Sequence, residues 1–183
     1  AGIAGGGRID VCTMDEWHRL TEVNLFGAVR GVRAFTPMLK EQGIGQVLNV
    51  ASLAGLVHPA GMAAYNATKA AVVALTETLG HELASYGITA HVLCPSYFRT
   101  NLVASLEGTD QTVGQVIGAL VENSPISADD IATAALAGLA AGEELIVPDE
   151  AARQAWGLKQ ADRAAYDTVM RAQAAKLERS SGA

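Results

Sequence analysis

Ser52, Tyr65 and Lys69 are the residues in this chain whose types and spacing could do chemistry. Tyr65 and Lys69 stand four positions apart in an Ala-rich stretch. On a helix that spacing places both side chains on one face, about 6 Å apart along the axis. An ammonium beside a phenol favours the phenolate. Lys69 is therefore expected to lower the Tyr65 pKa from its reference of ~10 toward a value useful for proton transfer. Ser52 follows an apolar run, Gln46–Val50, that reads as a buried strand, and open α/β sheets bind ligands at the carboxyl ends of their strands. Y-x-x-x-K alone is a weak signal, because many surface helices carry such a pair by chance. A strand, then Ser52, then thirteen positions to Tyr65 make the pattern specific.

The elements that must position these residues can be read on either side. Ala51–Met62 is a Gly/Pro-containing loop on the substrate side, and Ala63–Tyr86 is a helix that Gly87 ends as a C′ glycine would. Ile88–Cys94 is a second strand, and Pro95–Leu106 is the loop leaving it. In that loop Tyr97, Phe98, Leu102, Val103 and Leu106 would make either an apolar wall or lid, or an ordinary amphipathic cover for the core. Upstream, Thr13 and Glu16 form a capping box that opens a helix to about Lys40. Its apolar stripe is Trp17, Leu20, Val23, Gly27, Gly31, Ala34, Phe35 and Met38, and Pro37 should distort its last turn. Asn24 sits mid-helix, where its propensity is poor. Downstream, 109–122 is helical until Pro125, and Ser127–Asp130 is a second capping box for a helix to Ala141. Leu145–Val147 is a short buried strand. A charged helical tail follows from Asp149, with Leu158, Ala161, Ala165, Val169 and Ala172 on one stripe and a frayed end at 180–183. Strands alternating with helices imply a parallel sheet with helices on both faces.

Composition narrows the function. The 183 residues suit one domain, 1–183, with 149–183 as its helical tail, and half of them are apolar. Scattered basic residues and a net charge of −6 argue against nucleic acid as a partner. No apolar run is long enough to span a bilayer, and no signal-peptide pattern is present, so a cytoplasmic location is expected. Cys12 and Cys94 read as reduced thiols and make no metal-ligand cluster. His58 reads as a loop residue without assigned chemistry. The glycine-rich start, residues 1–9, is not a phosphate loop, since no strand precedes it and no helix opens directly after it.

Several stretches taken together resemble one family. Asn24-Leu25-Phe26-Gly27 resembles its N-x-x-G helix motif, and Asn49-Val50-Ala51-Ser52 resembles its serine strand. Tyr65 and Lys69 match its Y-x-x-x-K, Pro95–Thr100 the loop after its sixth strand, and Ala1-Gly2 the tail of its N-N-A-G motif. The chain thus resembles the short-chain dehydrogenase/reductase family, in its short single-domain branch. The resemblance implies the carboxyl-side part of a Rossmann-like doubly wound parallel sheet, without the first βαβ units. It also implies an NAD(P)-dependent oxidoreductase interconverting a carbonyl and a secondary alcohol on an apolar small-molecule substrate. Tyr65 would exchange the proton, Lys69 would lower its pKa and bind the nicotinamide ribose, and Ser52 would hydrogen-bond the substrate oxygen. Asn24 would hold a water through a local helix distortion and link Lys69 to solvent. Ala1, Gly2, Asn24, Tyr65, Lys69, Pro95, Ser96 and Thr100 would line the cofactor, and Ser52, Tyr65, Tyr97 and Phe98 the substrate. Ser96 stands where the family has glycine, and its Cβ limits close approach. NAD and NADP are both open, because the selecting residue would lie upstream of Ala1. Homo-oligomerisation through the two long helices (residues 14–40 and 63–86) is implied as well. The other reading is a non-catalytic fragment or interaction module without a complete cofactor site; a Tyr/Lys epimerase or dehydratase fits less well.

Overall fold

The computed structural model describes residues 2–106 and 108–181. Among these, three parallel strands form the sheet, in the order β1 (Gly45–Val50), β2 (Ile88–Leu93), β3 (Leu145–Ile146). β1 and β2 run in register from Gly45 opposite Ile88 to Val50 opposite Leu93, and β3 meets β2 at Val92 and Leu93. The other edge of β1 has no strand partner among the described residues, and Val50 there is 56% exposed.

Parallel neighbours need crossovers, and helices supply them. Between β1 and β2 lie the one-turn α-helix Ala54–Val57 and the long α-helix Ala63–Leu83, which tightens into a 3₁₀ turn over Ala84–Tyr86 before Gly87 closes it at φ 69°. Between β2 and β3 lie the helices Gln111–Glu122 and Ala128–Ala141. The amino-terminal helix Met14–Leu20 and its continuation Gly27–Gln42 precede β1, and Glu150–Ala161 and Arg163–Ser181 follow β3. In chain order these are α1 (14–20), α2 (27–42), α3 (54–57), α4 (63–83), α5 (111–122), α6 (128–141), α7 (150–161) and α8 (163–181).

Alternation along β2 divides the core into two layers. Ile88, Ala90 and Val92 pack on Val72, Val73, Leu79 and Leu83 of α4, while Leu93 turns the other way onto Ile131 and Ala135 of α6. Helices therefore cover both faces of the sheet. His91, buried among apolar neighbours, is satisfied by the Glu143 carbonyl at 2.7 Å and the Thr89 hydroxyl at 2.8 Å. Both capping boxes form, at Thr13/Glu16 and at Ser127/Asp130.

The expected helix to Lys40 is interrupted. Thr21–Phe26 is a π-helical segment, which bonds i to i+5 and so inserts a residue into the turn. Beyond it the apolar stripe is out of phase by one position. Ala28, Val32 and Leu39 pack against the core, whereas Gly27, Ala34, Phe35 and Met38 face outward. Phe35 and Met38 are each 62% exposed. The helix passes Pro37 and ends at Gln42, so the irregularity sits at the π segment, not in the last turn. The tail stripe is also reassigned. Leu158 and Val169 are exposed, and the buried side carries Ala152, Tyr166 and Leu177. α8 runs through Ser180, where fraying was expected; residues 182 and 183 lie outside the described residues.

Candidate active site

Ser52 sits just past β1. The ladder continues across it, with Ala51 N–H donating to the Leu93 carbonyl and Leu53 N–H to the Pro95 carbonyl, both at 2.9 Å. The Ser52 hydroxyl accepts from Ala54 N–H at 3.2 Å, and its carbonyl accepts from Gly55 N–H at 2.9 Å, so the first amides of α3 hold the residue from the far side. α3 lies directly on α4 at Gly55. A Cβ there would stand 2.7 Å from the Lys69 carbonyl carbon and 2.9 Å from the Ala70 nitrogen, closer than any side chain tolerates.

Tyr65 and Lys69 leave the same side of α4, with the Lys69 ammonium 5.6 Å from the centre of the Tyr65 ring. Lys69 donates to the Val50 carbonyl at 3.2 Å. Burial pushes its pKa down to about 8. The Tyr65 phenol is pushed up to about 12 by burial, against the opposing pull of the Ser52 side chain. The sequence pointed to a lowered tyrosine pKa. Desolvation outweighs the neighbouring ammonium here, because Tyr65 is only 8% exposed and Lys69 is itself directed to a backbone carbonyl.

Asn24 is brought to the same place by the π segment. It is 4% exposed, and its amide clasps the backbone of Ile3: Oδ1 accepts from Ile3 N–H at 2.9 Å and Nδ2 donates to the Ile3 carbonyl at 3.0 Å. Beside it passes Gly2, where a Cβ would be 3.5 Å from Asn24 Oδ1 and 4.0 Å from Lys69 Nζ. Gly2, Asn24 and Lys69 thus converge. Ala1 lies outside the described residues.

The loop after β2 is divided between two locations. Tyr97 packs with Leu106 in the cluster that contains Tyr65, its hydroxyl 3.7 Å from the Met62 sulfur. Phe98 turns instead into the cluster of Leu93, Ile131 and Ile146, so the structure does not bring it to Tyr65. Pro95 is buried, and Thr100 is half-buried in the bend beyond Arg99. Ser96 N–H donates to the buried carboxylate of Asp149 at 3.1 Å, while the other Asp149 oxygen caps α7 at Ala152 N–H, 2.8 Å away. Leu106 completes the apolar wall beside Tyr97; the Val103 side chain lies outside what is described.

α5 closes the site from outside. Val113, Ile117 and Val121 lie in the cluster with Tyr65, and Leu177 of α8 joins them. The start of α5 is tied down by Asp110, which accepts from Arg8 Nε at 2.7 Å and caps the helix at Val113 N–H. Arg8 and two backbone amides hold the Asp110 carboxyl below the usual carboxylate range, although desolvation opposes them.

Sequence reasoning did not single out Gly55, Asp149 or Asp110. Asp149 carried a legible signal, as the N-cap before the Glu150 helix. Gly55 carried none, because close approach to Lys69 is visible only in three dimensions.

Ser52, Tyr65, Lys69 and Asn24 thus gather near the carboxyl end of β1. The chain matches the family model for the short chain dehydrogenases over residues 1–111 and belongs to that family. It is 35% identical over 103 residues to D-beta-hydroxybutyrate dehydrogenase of Rhizobium meliloti, covering 56% of this chain and 40% of that protein. It is 34% identical over 118 residues to the NADP-dependent (R)-specific alcohol dehydrogenase of Lentilactobacillus kefiri, covering 63% and 47% respectively. The crystal structure of a short chain dehydrogenase/reductase from Burkholderia phymatum in complex with NAD superposes with a TM-score of 0.81 at 28% identity, over 88% of this chain and 63% of that one. The chain spans less than half the length of these two curated relatives. Among the described residues, no helix is long and apolar enough to cross a membrane.

Proposed function

We propose that the protein containing this chain is an NAD(P)-dependent oxidoreductase that interconverts a carbonyl and a secondary alcohol, with Tyr65, Lys69, Ser52 and Asn24 as its working set. The observation that carries this reading is the meeting of all four. The Ser52 side chain acts on the Tyr65 phenol, drawing its pKa down against burial, Lys69 stands beside the Tyr65 ring, and Asn24 and Lys69 flank Gly2.

In reduction, Tyr65 gives its phenolic proton to the carbonyl oxygen as that oxygen gains charge, and Ser52 donates a hydrogen bond to the same atom. In oxidation the Tyr65 phenolate takes the hydroxyl proton. NAD(P) supplies the hydride chemistry when bound. The donor set suits its ribose: Lys69 is a buried ammonium whose bond to Val50 leaves it further N–H donors at the carboxyl ends of β1 and β2. Gly2, Asn24, Pro95, Ser96 and Thr100 would border the cofactor, and Ser96 is held there by Asp149. Tyr97 and Leu106 give the substrate an apolar wall, which favours an apolar ketone or secondary alcohol. Val113, Ile117 and Val121 of α5 pack in the same cluster as Tyr65, which is 8% exposed. Cys12 and Cys94 are free thiols, which suits a cytoplasmic enzyme.

The test is Tyr65→Phe in the complete protein. Turnover should fall by about 10²-fold or more, the scale of a lost general acid. Binding of NADH or NADPH, followed by fluorescence titration, should stay largely intact. Retained turnover would remove Tyr65 from this role.

A further inference from the structure

α3 is a single turn, Ala54–Val57. A helix that short is unstable alone, because nucleation fixes several residues for one hydrogen bond. Its last carbonyls also lack helical partners. Here each is taken by a side chain. The Gly55 carbonyl accepts from His58 Nε2 at 3.1 Å, the Leu56 carbonyl from Lys159 Nζ at 2.5 Å, and the Val57 carbonyl from the Tyr166 hydroxyl at 2.6 Å. Lys159 lies on α7 and Tyr166 on α8, 103 and 109 residues from the carbonyls they meet. The Lys159 ammonium also lies 2.7 Å from His58 Nδ1. Nδ1 accepts from it while Nε2 donates to Gly55, so the hydrogen-bond network assigns His58 the neutral Nε2–H tautomer. His58 holds a left-handed backbone, φ 56°, which is uncommon for a side-chain-bearing residue. A cation suits this position, because a helix is negative at its carbonyl end. The opposite end of α3 holds Ser52 through Ala54 N–H and Gly55 N–H.

We propose that Lys159 and Tyr166, acting with His58 on the carbonyl end of α3, are positioning residues that fix Ser52 against Tyr65. The carboxyl-terminal helices then serve as a brace for the loop that carries the serine. This inference rests on the roles given to Ser52 and Tyr65 above. Lys159 and Arg163 both hold the His58 pKa below its ordinary value, in addition to the effect of burial, so the ring stays an acceptor toward Lys159. Asp167, paired with Arg163 at 2.8 Å, is the acidic group of this cluster.

The test uses Tyr166→Phe and Lys159→Met in the complete protein, with Lys159→Arg as the conservative variant. Tyr166→Phe keeps the ring and removes one donor. Amide hydrogen exchange at residues 53–58 should quicken about tenfold in the first two variants, the scale of one lost hydrogen bond. Protection of α4 should be unchanged, showing an intact fold. Turnover should fall about tenfold with KM for NAD(P)H unaltered, and Lys159→Arg should restore both readouts. Unchanged exchange at 53–58, or faster exchange with wild-type turnover, would overturn the brace. A wild-type protein that binds no cofactor and turns over nothing would overturn the proposed function, and exchange alone would then decide whether the brace exists.

Discussion

Burying Lys69 has a cost that pH can remove. Its pKa is about 8 in the folded chain against an ordinary 10.5. Below pH 8 both folded and unfolded states hold the proton, and the full penalty of roughly 3 kcal/mol applies. Between pH 8 and 10.5 the folded state releases the proton first, the unfolded state binds more, and stability from this group rises. Cys94 and Tyr65, both pushed up to about 12, act in the opposite sense above their ordinary 9.0 and 10.0. The difference between variant and wild type isolates the lysine. Lys69→Met should be the more stable protein at pH 7 in urea denaturation, and its advantage should vanish as pH approaches 10.5. A pH-independent difference would mean that Lys69 is fully solvated. That Tyr65 and Lys69 share one face of a helix was legible in the sequence from their spacing and the strand and serine before them. The direction of the Tyr65 shift was not, because the groups that bury it, Val113, Ile117 and Leu177, come from distant helices.

At the scale of elements, the contact of α3 with α4 depends on a missing side chain. Gly55→Ala would place a methyl 2.8 Å from the Lys69 carbonyl oxygen. α3 must then lift away, at a cost of about 1–3 kcal/mol. The expected outcome is a lowered melting temperature together with reduced turnover, since Ser52 moves with α3. A variant as stable and as active as wild type would show that α3 is free to shift. Helix boundaries set by chemistry were readable: the two capping boxes and Gly87 stand where the residues put them. The π segment was not. Its trace in the sequence is one polar residue of poor helix propensity, Asn24, whose amide is spent on the backbone of Ile3. An inserted residue there moves every later apolar position by one, so a stripe counted from Trp17 misses Val32 and Leu39 and collects Phe35 and Met38.

On the whole-molecule scale that outward face is the feature to explain. Gly27 and Gly31 have open space where a Cβ would stand, and Phe35 and Met38 follow on the same side of α2, each 62% exposed. Small residues beside exposed large ones allow another helix to pack closely. We propose a second copy of the protein as its partner. If two copies meet on this face, Phe35→Glu combined with Met38→Glu should lower the mass seen by light scattering to that of a monomer, with little change in melting temperature. An unchanged mass would assign the oligomer to another surface, and a monomeric wild type would remove this use of the face. The parallel sheet and the two-sided cover of helices were legible from alternation of strand and helix patterns. Which apolar side chains are left uncovered depended on the phase of one helix.

The reach of Tyr166 back to Val57 bears on how the chain matures during synthesis. A ribosome delivers Ser52, Tyr65 and Lys69 long before Lys159 and Tyr166, the distant donors to α3, and 109 residues separate the two ends of the Tyr166–Val57 hydrogen bond. At about 5–20 residues per second, the serine loop waits about 5–20 s without these donors. A nascent chain that has not yet reached α8 would carry Ser52, Tyr65 and Lys69 but not the hydroxyl that meets the Val57 carbonyl.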